Sequence, residues 1–158
     1  MTLRERILSD ITAAMRSGDV LRRDTLRMAE SAIYNAEKRD RRSYSDDEVA
    51  AVLAREVKTR RESVEAFRKG DREDLASKEE AEIEILAGFL PEQLSEAEIT
   101  ALVDEAIGAT GASSPRDMGK VMGWLAPRTK GRADGRVVSQ LVGSALANLA
   151  SSGTPGAA

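Results

Sequence analysis

Apolar residues recur at every third or fourth position along almost the whole chain, and that spacing restricts it to helices. Leu3, Ile7, Ile11 and Ala14 or Met15 share one face of a first helix, which Ser17-Gly18-Asp19 ends. Leu26, Ala29, Ile33 and Ala36 mark a second helix over about residues 20 to 39. A third starts at Ser45 or Asp46, where a short acceptor side chain can take the free amides of a first turn. Its stripe is Val49, Leu53, Val57, Val64 and Phe67. Gly70 reads as its stop, and Asp71 with Asp74 three residues on reads as the cap of a fourth helix. That helix turns Leu75, Ile83, Leu86 and Leu90 inward.

Pro91 breaks the run, because the residue before a proline is pushed out of helical geometry. Ser95 followed by Glu98 is a capping box that opens a fifth helix with Ile99, Leu102, Val103 and Ala106 on its inner face. Ser114-Pro115-Arg116-Asp117 reads as an N-cap, a proline at the first helical position and an acidic third residue. The sixth helix should run to about Leu125 and stop at Pro127, with Met118, Val121, Met122 and Leu125 on one face. Val138, Leu141, Val142, Ala145 and Leu149 define the last helix. The expected fold is all-α: an antiparallel bundle of about four helices over 1–90, a small three-helix tail domain over 91–150, and a disordered tail over 151–158. At 158 residues, such a chain can bury a real core in one domain or two small ones.

Chemistry is limited by what is missing. The chain has no histidine and no cysteine, which removes Ser-His and Cys-His nucleophiles, disulfides and imidazole or thiolate metal sites. No phosphate-binding glycine loop and no nucleophile elbow occurs. No metal or cofactor is implied, no residue is assigned a catalytic role, and activity of the isolated chain is not expected. No apolar run approaches the roughly 20 residues of a membrane span, and charges from Arg4 to Asp10 interrupt any signal peptide. The expectation is a cytoplasmic protein without a membrane partner.

Two charge clusters call for structural readings. Lys38-Arg39-Asp40-Arg41-Arg42 contains Asp40 and is flanked by Glu37 and Asp46, so a solvated loop explains it better than a nucleic-acid patch. Arg60 falls on the apolar stripe of the third helix, and the fourth helix is dense in carboxylates. A carboxylate metal site there would want Glu-x-x-His pairs; Glu79 or Glu82 neutralising Arg60 is the simpler reading.

The third cluster points outward. From Ala112 onward Arg116, Lys120, Arg128, Lys130, Arg132 and Arg136 face only Asp117 and Asp134, a local excess of +4 in a chain of net charge −3. Sign asymmetry of this kind suits an anionic partner. Gly119 and Gly123 share a helix face with Arg116 and Lys120, and each costs roughly 1 kcal/mol relative to alanine. Either another helix of the chain or a nucleic acid would need close backbone approach there. Trp124 at the border either stacks on a base or plugs the core. Free amides at the start of the last helix could hold a phosphate, but Asp134 would compete as its N-cap.

The sequence also resembles a known family. Arg60-Arg61-Glu62-Ser63, Asp71-Arg72-Glu73-Asp74-Leu75, Glu79 with Glu82, and Leu90-Pro91-Glu92-Gln93-Leu94 occur in the order of the GatB/YqeY family. Asp117-Met118-Gly119-Lys120-Val121-Met122 and Gly131-Arg132-Ala133-Asp134-Gly135 continue the pattern, so the likeness spans about residues 3 to 149. Members are similar to the tail of GatB, a component of the glutamine-dependent aspartyl/glutamyl-tRNA amidotransferase. The resemblance implies an all-helical fold with an N-terminal bundle and a three-helix tail. It also implies a tRNA-contacting appendage, so that the label of carbon–nitrogen ligase with glutamine as amido-N-donor would be inherited from the larger relative. Arg60, Glu79, Glu82, Pro91, Gly119, Gly131 and Asp134 are then architectural positions, and the six tail cations form an RNA-binding surface. The implied partners are tRNA or, alternatively, an amidotransferase or other translation protein on which the helices dock.

Overall fold

The structure is a computed structural model, and it describes residues 1–152. Those residues form α1 (Leu3–Ser17), α2 (Val20–Asp40), α3 (Asp46–Lys69), α4 (Glu73–Ala87), α5 (Glu96–Thr110), a 3₁₀ turn (Pro115–Asp117), α6 (Met118–Thr129) and α7 (Gly135–Ser152). The protein is all-α. Two compact units divide it, Met1–Pro91 and Glu92 onward.

In the first unit the apolar stripes of α1 to α3 meet the end of α4. Ile7, Leu26, Ile33, Val49, Leu53 and Leu86 are fully buried, and each such side chain contributes roughly 1.5–3 kcal/mol by leaving water. Thr2 and Ser45 cap α1 and α3 with reciprocal boxes through Glu5 and Glu48. Asp19 caps α2 by accepting from the Arg22 amide.

The turn between α3 and α4 is built differently from its sequence reading. The left-handed residue is Asp71 (φ 56°), not Gly70. The Arg72 amide returns to the Phe67 carbonyl at 2.8 Å and the Asp71 amide to Arg68 at 3.2 Å, which closes α3 in a Schellman motif. Asp71 is thereby spent on ending α3 and does not cap α4. The cap position falls to Arg72, whose side chain makes no capping bond but grips Asp74 instead.

Arg60 lies buried on α3. Its Nε donates to Glu82 of α4 at 3.1 Å and its Nη1 to Glu56 one turn earlier at 2.9 Å. Of the two expected partners the structure selects Glu82 and adds Glu56. Glu79 is half-buried beside this pair, and its carboxyl is pushed above the ordinary range, first by burial and then by the Glu82 charge. The Lys38–Arg42 stretch is partly neutralised: Arg39 pairs with Asp40, Arg42 with Glu48 at 2.5 Å, and the Tyr44 hydroxyl donates to Asp40, while Lys38 and Arg41 are exposed and make no ion pair among the described residues.

The second unit packs α5, α6 and α7 around Val103, Val121, Leu125, Val138, Val142 and Leu146. Here α6 passes through Pro127 and ends at Thr129, four residues beyond the expected stop. Proline removes one amide, the helical donor to the Gly123 carbonyl. Gly123 is exposed, so water can meet that carbonyl and the helix continues. The opening of α6 is tightened as well, since Pro115–Asp117 forms a 3₁₀ turn under the Ser114–Asp117 capping box. α7 includes Ser151 and Ser152, where the composition suggested tail; the rest of that expected tail, from residue 153, lies outside the described residues.

Candidate nucleic-acid interface

The six cations of the second unit sit on four local frames: Arg116 on the 3₁₀ turn, Lys120 and Arg128 on α6, Lys130 and Arg132 on the loop after it, and Arg136 on the first turn of α7. Helical rise separates Arg116 from Lys130 by roughly 20 Å, so the cations from Arg116 to Lys130 are strung along α6 and do not converge on one point.

Their commitments differ. Arg116, Lys130 and Arg136 are exposed, and their side chains reach no carboxylate among the described residues. Lys120 lies 3.9 Å from Asp117 with 70% of its side chain exposed, an ion pair too loose to hold it. Arg128 is engaged: its guanidinium donates to the Trp124 carbonyl at 2.5 Å and lies 3.6 Å over the Trp124 ring. Arg132 is also engaged, with Nε donating to the Glu92 carbonyl at 3.2 Å. Among the described residues, three cations are therefore free, one is loosely held, and two are partly structural.

A short seam explains why the loop has its shape. The Leu94 amide donates to the Arg132 carbonyl at 2.8 Å, and the Gln93 side-chain amide donates to the Gly131 carbonyl at 2.9 Å. Gly131 adopts φ 74°, which a side chain would strain. Thr129 is buried and returns its hydroxyl to Leu125 at 3.0 Å. Asp134 accepts from the Arg136 amide at 2.9 Å. That carboxylate takes one of the α7 amides that a bound phosphate would need, which favours a diffuse surface over a point anion site. Asp117 accepts from the Ser113 and Ser114 amides, and these bonds hold its carboxyl below the ordinary range.

The glycines depart from the reading that another helix of the chain approaches them. A Cβ built on Gly119 or Gly123 would meet nothing within 4 Å, and both residues are exposed. Intramolecular packing does not require them. Trp124 is half-buried and packed on the unit's core. Its pairing with Arg128 was not foreseen, although the four-residue spacing that brings them together is visible in the sequence. The seam at Gln93 and Leu94 joins residues about 40 positions apart, and no local signal announces it; only the paired motifs at 90–94 and 131–135 hint at it.

Elsewhere, no group of carboxylates among the described residues is placed to hold a metal ion. No helix among them is long and apolar enough to cross a membrane.

Comparison with known proteins agrees with this architecture. The family model described as Yqey-like protein matches residues 4–146. The chain belongs to the YqeY-like family. Among curated relatives of this YqeY-like chain, a Pyrenophora tritici-repentis protein named "Altered inheritance of mitochondria protein 41, mitochondrial" is 33% identical over 140 residues, covering 87% of this chain and 77% of the relative. A Lachancea thermotolerans protein of the same name is 34% identical over 137 residues, 82% of this chain and 73% of the relative. An uncharacterized Schizosaccharomyces pombe protein is 42% identical over 71 residues, 45% of this chain and 58% of its own length.

Proposed function

We propose that this YqeY-like protein is an accessory RNA-binding protein without chemistry of its own, and that the second unit touches tRNA or a similar RNA through its basic strip. The observation that carries this reading is that Arg116, Lys130 and Arg136 are exposed and reach no carboxylate among the described residues, in a stretch from Ala112 onward that holds six cations against Asp117 and Asp134 alone. Free cations along a helix suit a phosphate backbone, whose neutralisation releases counterions. Likeness to the GatB tail of the amidotransferase favours tRNA within that class. The ligase label of the larger relative is not transferred, because the chain has neither histidine nor cysteine and no catalytic motif. The reading sets the chain in the cytoplasm or in another compartment that holds RNA.

A second reading is docking on an amidotransferase or other translation protein. It draws on a groove of about 520 Å³ between α5 and α7, lined by Ile107, Leu141, Ala145 and Leu149 with Asp104 and Asn148.

Titration of labelled tRNA with the wild type and with Arg116→Ala/Lys120→Ala/Lys130→Ala separates the two. With three to four phosphates neutralised, wild-type affinity should fall roughly 40- to 150-fold between about 50 and 200 mM salt. The triple variant should bind more weakly with a shallower slope. Absence of binding at low salt, or equal binding by the variant, would remove the RNA reading and leave docking.

A further inference from the structure

We infer that the second unit takes base-paired RNA through its sugar-phosphate backbone and does not take single strands by stacking their bases. The inference rests on the basic-strip reading above and narrows its ligand.

Proteins that hold single-stranded nucleic acid combine a basic groove with aromatic platforms on which successive bases lie. Trp124 is the sole aromatic residue from Glu92 to the C-terminus. Its ring is occupied, with the Arg128 guanidinium 3.6 Å from the centroid and the indole packed against the core built on Val121 and Leu125. Arg128 is also anchored by its bond to the Trp124 carbonyl at 2.5 Å. A base could reach the covered face only by breaking both contacts. No stacking platform among the described residues is therefore open beside the strip.

What the strip does offer fits a backbone. Arg116 and Lys120 stand one turn apart on the exposed face of the 3₁₀ turn and α6, with Gly119 and Gly123 beside them. Open space surrounds the position a Cβ would take at each glycine. The helix backbone is thus accessible between the cations, low enough for a ribose-phosphate ridge to lie against it. Lys130 and Arg136 continue the free charge past the end of α6. Base-paired RNA presents phosphates and 2′-hydroxyls on a rigid surface and is recognised by shape and backbone contacts. A duplex also carries about twice the axial charge density of one of its strands, so a protein limited to backbone contacts should prefer it.

The test uses the full chain at low salt, with two labelled probes: an RNA duplex of about 16 base pairs, and an unstructured single-stranded RNA of the same length. Anisotropy reports affinity, and Trp124 emission (the chain has one tryptophan) reports stacking. The duplex should bind at least about tenfold more tightly than the single strand, and neither probe should quench Trp124. Equal or tighter binding of the single strand, or quenching of Trp124 by it, would overturn the inference while leaving the basic strip as an RNA site. Failure of both probes to bind would overturn the basic-strip reading and this inference with it. Gly119→Ala/Gly123→Ala supplies a variant that keeps every charge. It should lose duplex affinity about three- to tenfold with unchanged helicity, and undiminished duplex affinity would contradict close approach at these glycines.

Discussion

The two units differ in where their charges lie, although both carry exposed cations outside ion pairs, such as Lys38 and Arg61 in the first. In the first, Arg4 reaches Glu30 at 2.7 Å as well as Glu37, Arg60 reaches Glu56 and Glu82, and Arg68 reaches Glu73 and Glu80. In the second, acidic residues gather on α5 through Glu96, Glu98, Asp104 and Glu105, while the cations begin only at Arg116. Segregation along the chain keeps the signs apart and leaves cations open. Net charge alone misleads here: a chain at −3 can carry a positive strip when its acids are spent on the other unit and on one helix. The bundle places ion pairs such as Arg60–Glu82 between helices, whereas the tail is held by apolar packing and backbone seams, with Arg128 and Arg132 engaged in the fold.

The comparison is broken most severely at Arg60. Arg60→Ala leaves the buried Glu82 charge without its partner, and Glu82→Ala leaves Arg60 with Glu56 alone; each should cost about 3–5 kcal/mol in chemical denaturation. Replacing both with apolar residues of similar volume, as in Arg60→Met/Glu82→Leu, should recover most of that loss. A cost under about 1 kcal/mol for Glu82→Ala would mean that Glu56 alone satisfies the guanidinium, and that the link between α3 and α4 is not electrostatic.

Most of the helices could be read in the sequence because their signals are local. Apolar spacing marked α1 to α5, the short acceptor at Ser45 or Asp46 placed the start of α3, and the Ser95 box that of α5. Arg60 could be paired in advance because a charge on an apolar stripe must find an acid. The errors arose where backbone bonding overrode a side-chain signal, as at Asp71, or where exposure made a normally disruptive residue tolerable, as at Pro127. The candidate strip was visible as composition. Which of its cations are free was not, because that depends on the Arg128–Trp124 stack and on the seam from Gln93 and Leu94 to the 131–132 loop.

An intermediate effect tests the bundle's interior without touching its ion pairs. Thr25 is 1% exposed and its hydroxyl lacks a hydrogen-bond partner among the described residues. Thr25→Val removes that unmet group at nearly constant volume and should stabilise by about 1 kcal/mol. A loss of stability on denaturation would mean that the hydroxyl has a partner in solution.

Acid titration sharpens the contrast from the side of the carboxylates. Glu48 is held down to about 2 by Arg42 and by the Ser45 amide. Asp117 is also lowered, by the Ser113 and Ser114 amides. A carboxyl with a lowered folded-state pKa supports folding above its ordinary range, and that support fades as pH falls through the folded value. Glu79 has the opposite sign: its raised pKa favours folding at low pH, and that support is lost as pH rises through the raised value. Asp117→Asn should therefore flatten the acid limb of stability, and Glu79→Gln should flatten a decline on the other side. An unchanged acid limb in Asp117→Asn would show that this box does not hold the start of α6.

The smallest expected effect is the most informative about function. Lys130→Ala and Arg136→Ala remove exposed side chains that reach no carboxylate among the described residues, so each should shift stability by less than about 0.5 kcal/mol. Arg128→Ala gives the internal control, because it uncovers Trp124 and should cost more, about 0.5–1 kcal/mol for the cation–π contact. If the free and engaged cations cost the same, the division drawn along α6 fails. A difference in stability, combined with a loss of RNA affinity at Lys130 and Arg136, would mean that the fold has little use for these charges and that the partner does. Selection for folding alone would give no reason to keep them, since an uncharged polar side chain at either position would leave the helices and the core unchanged.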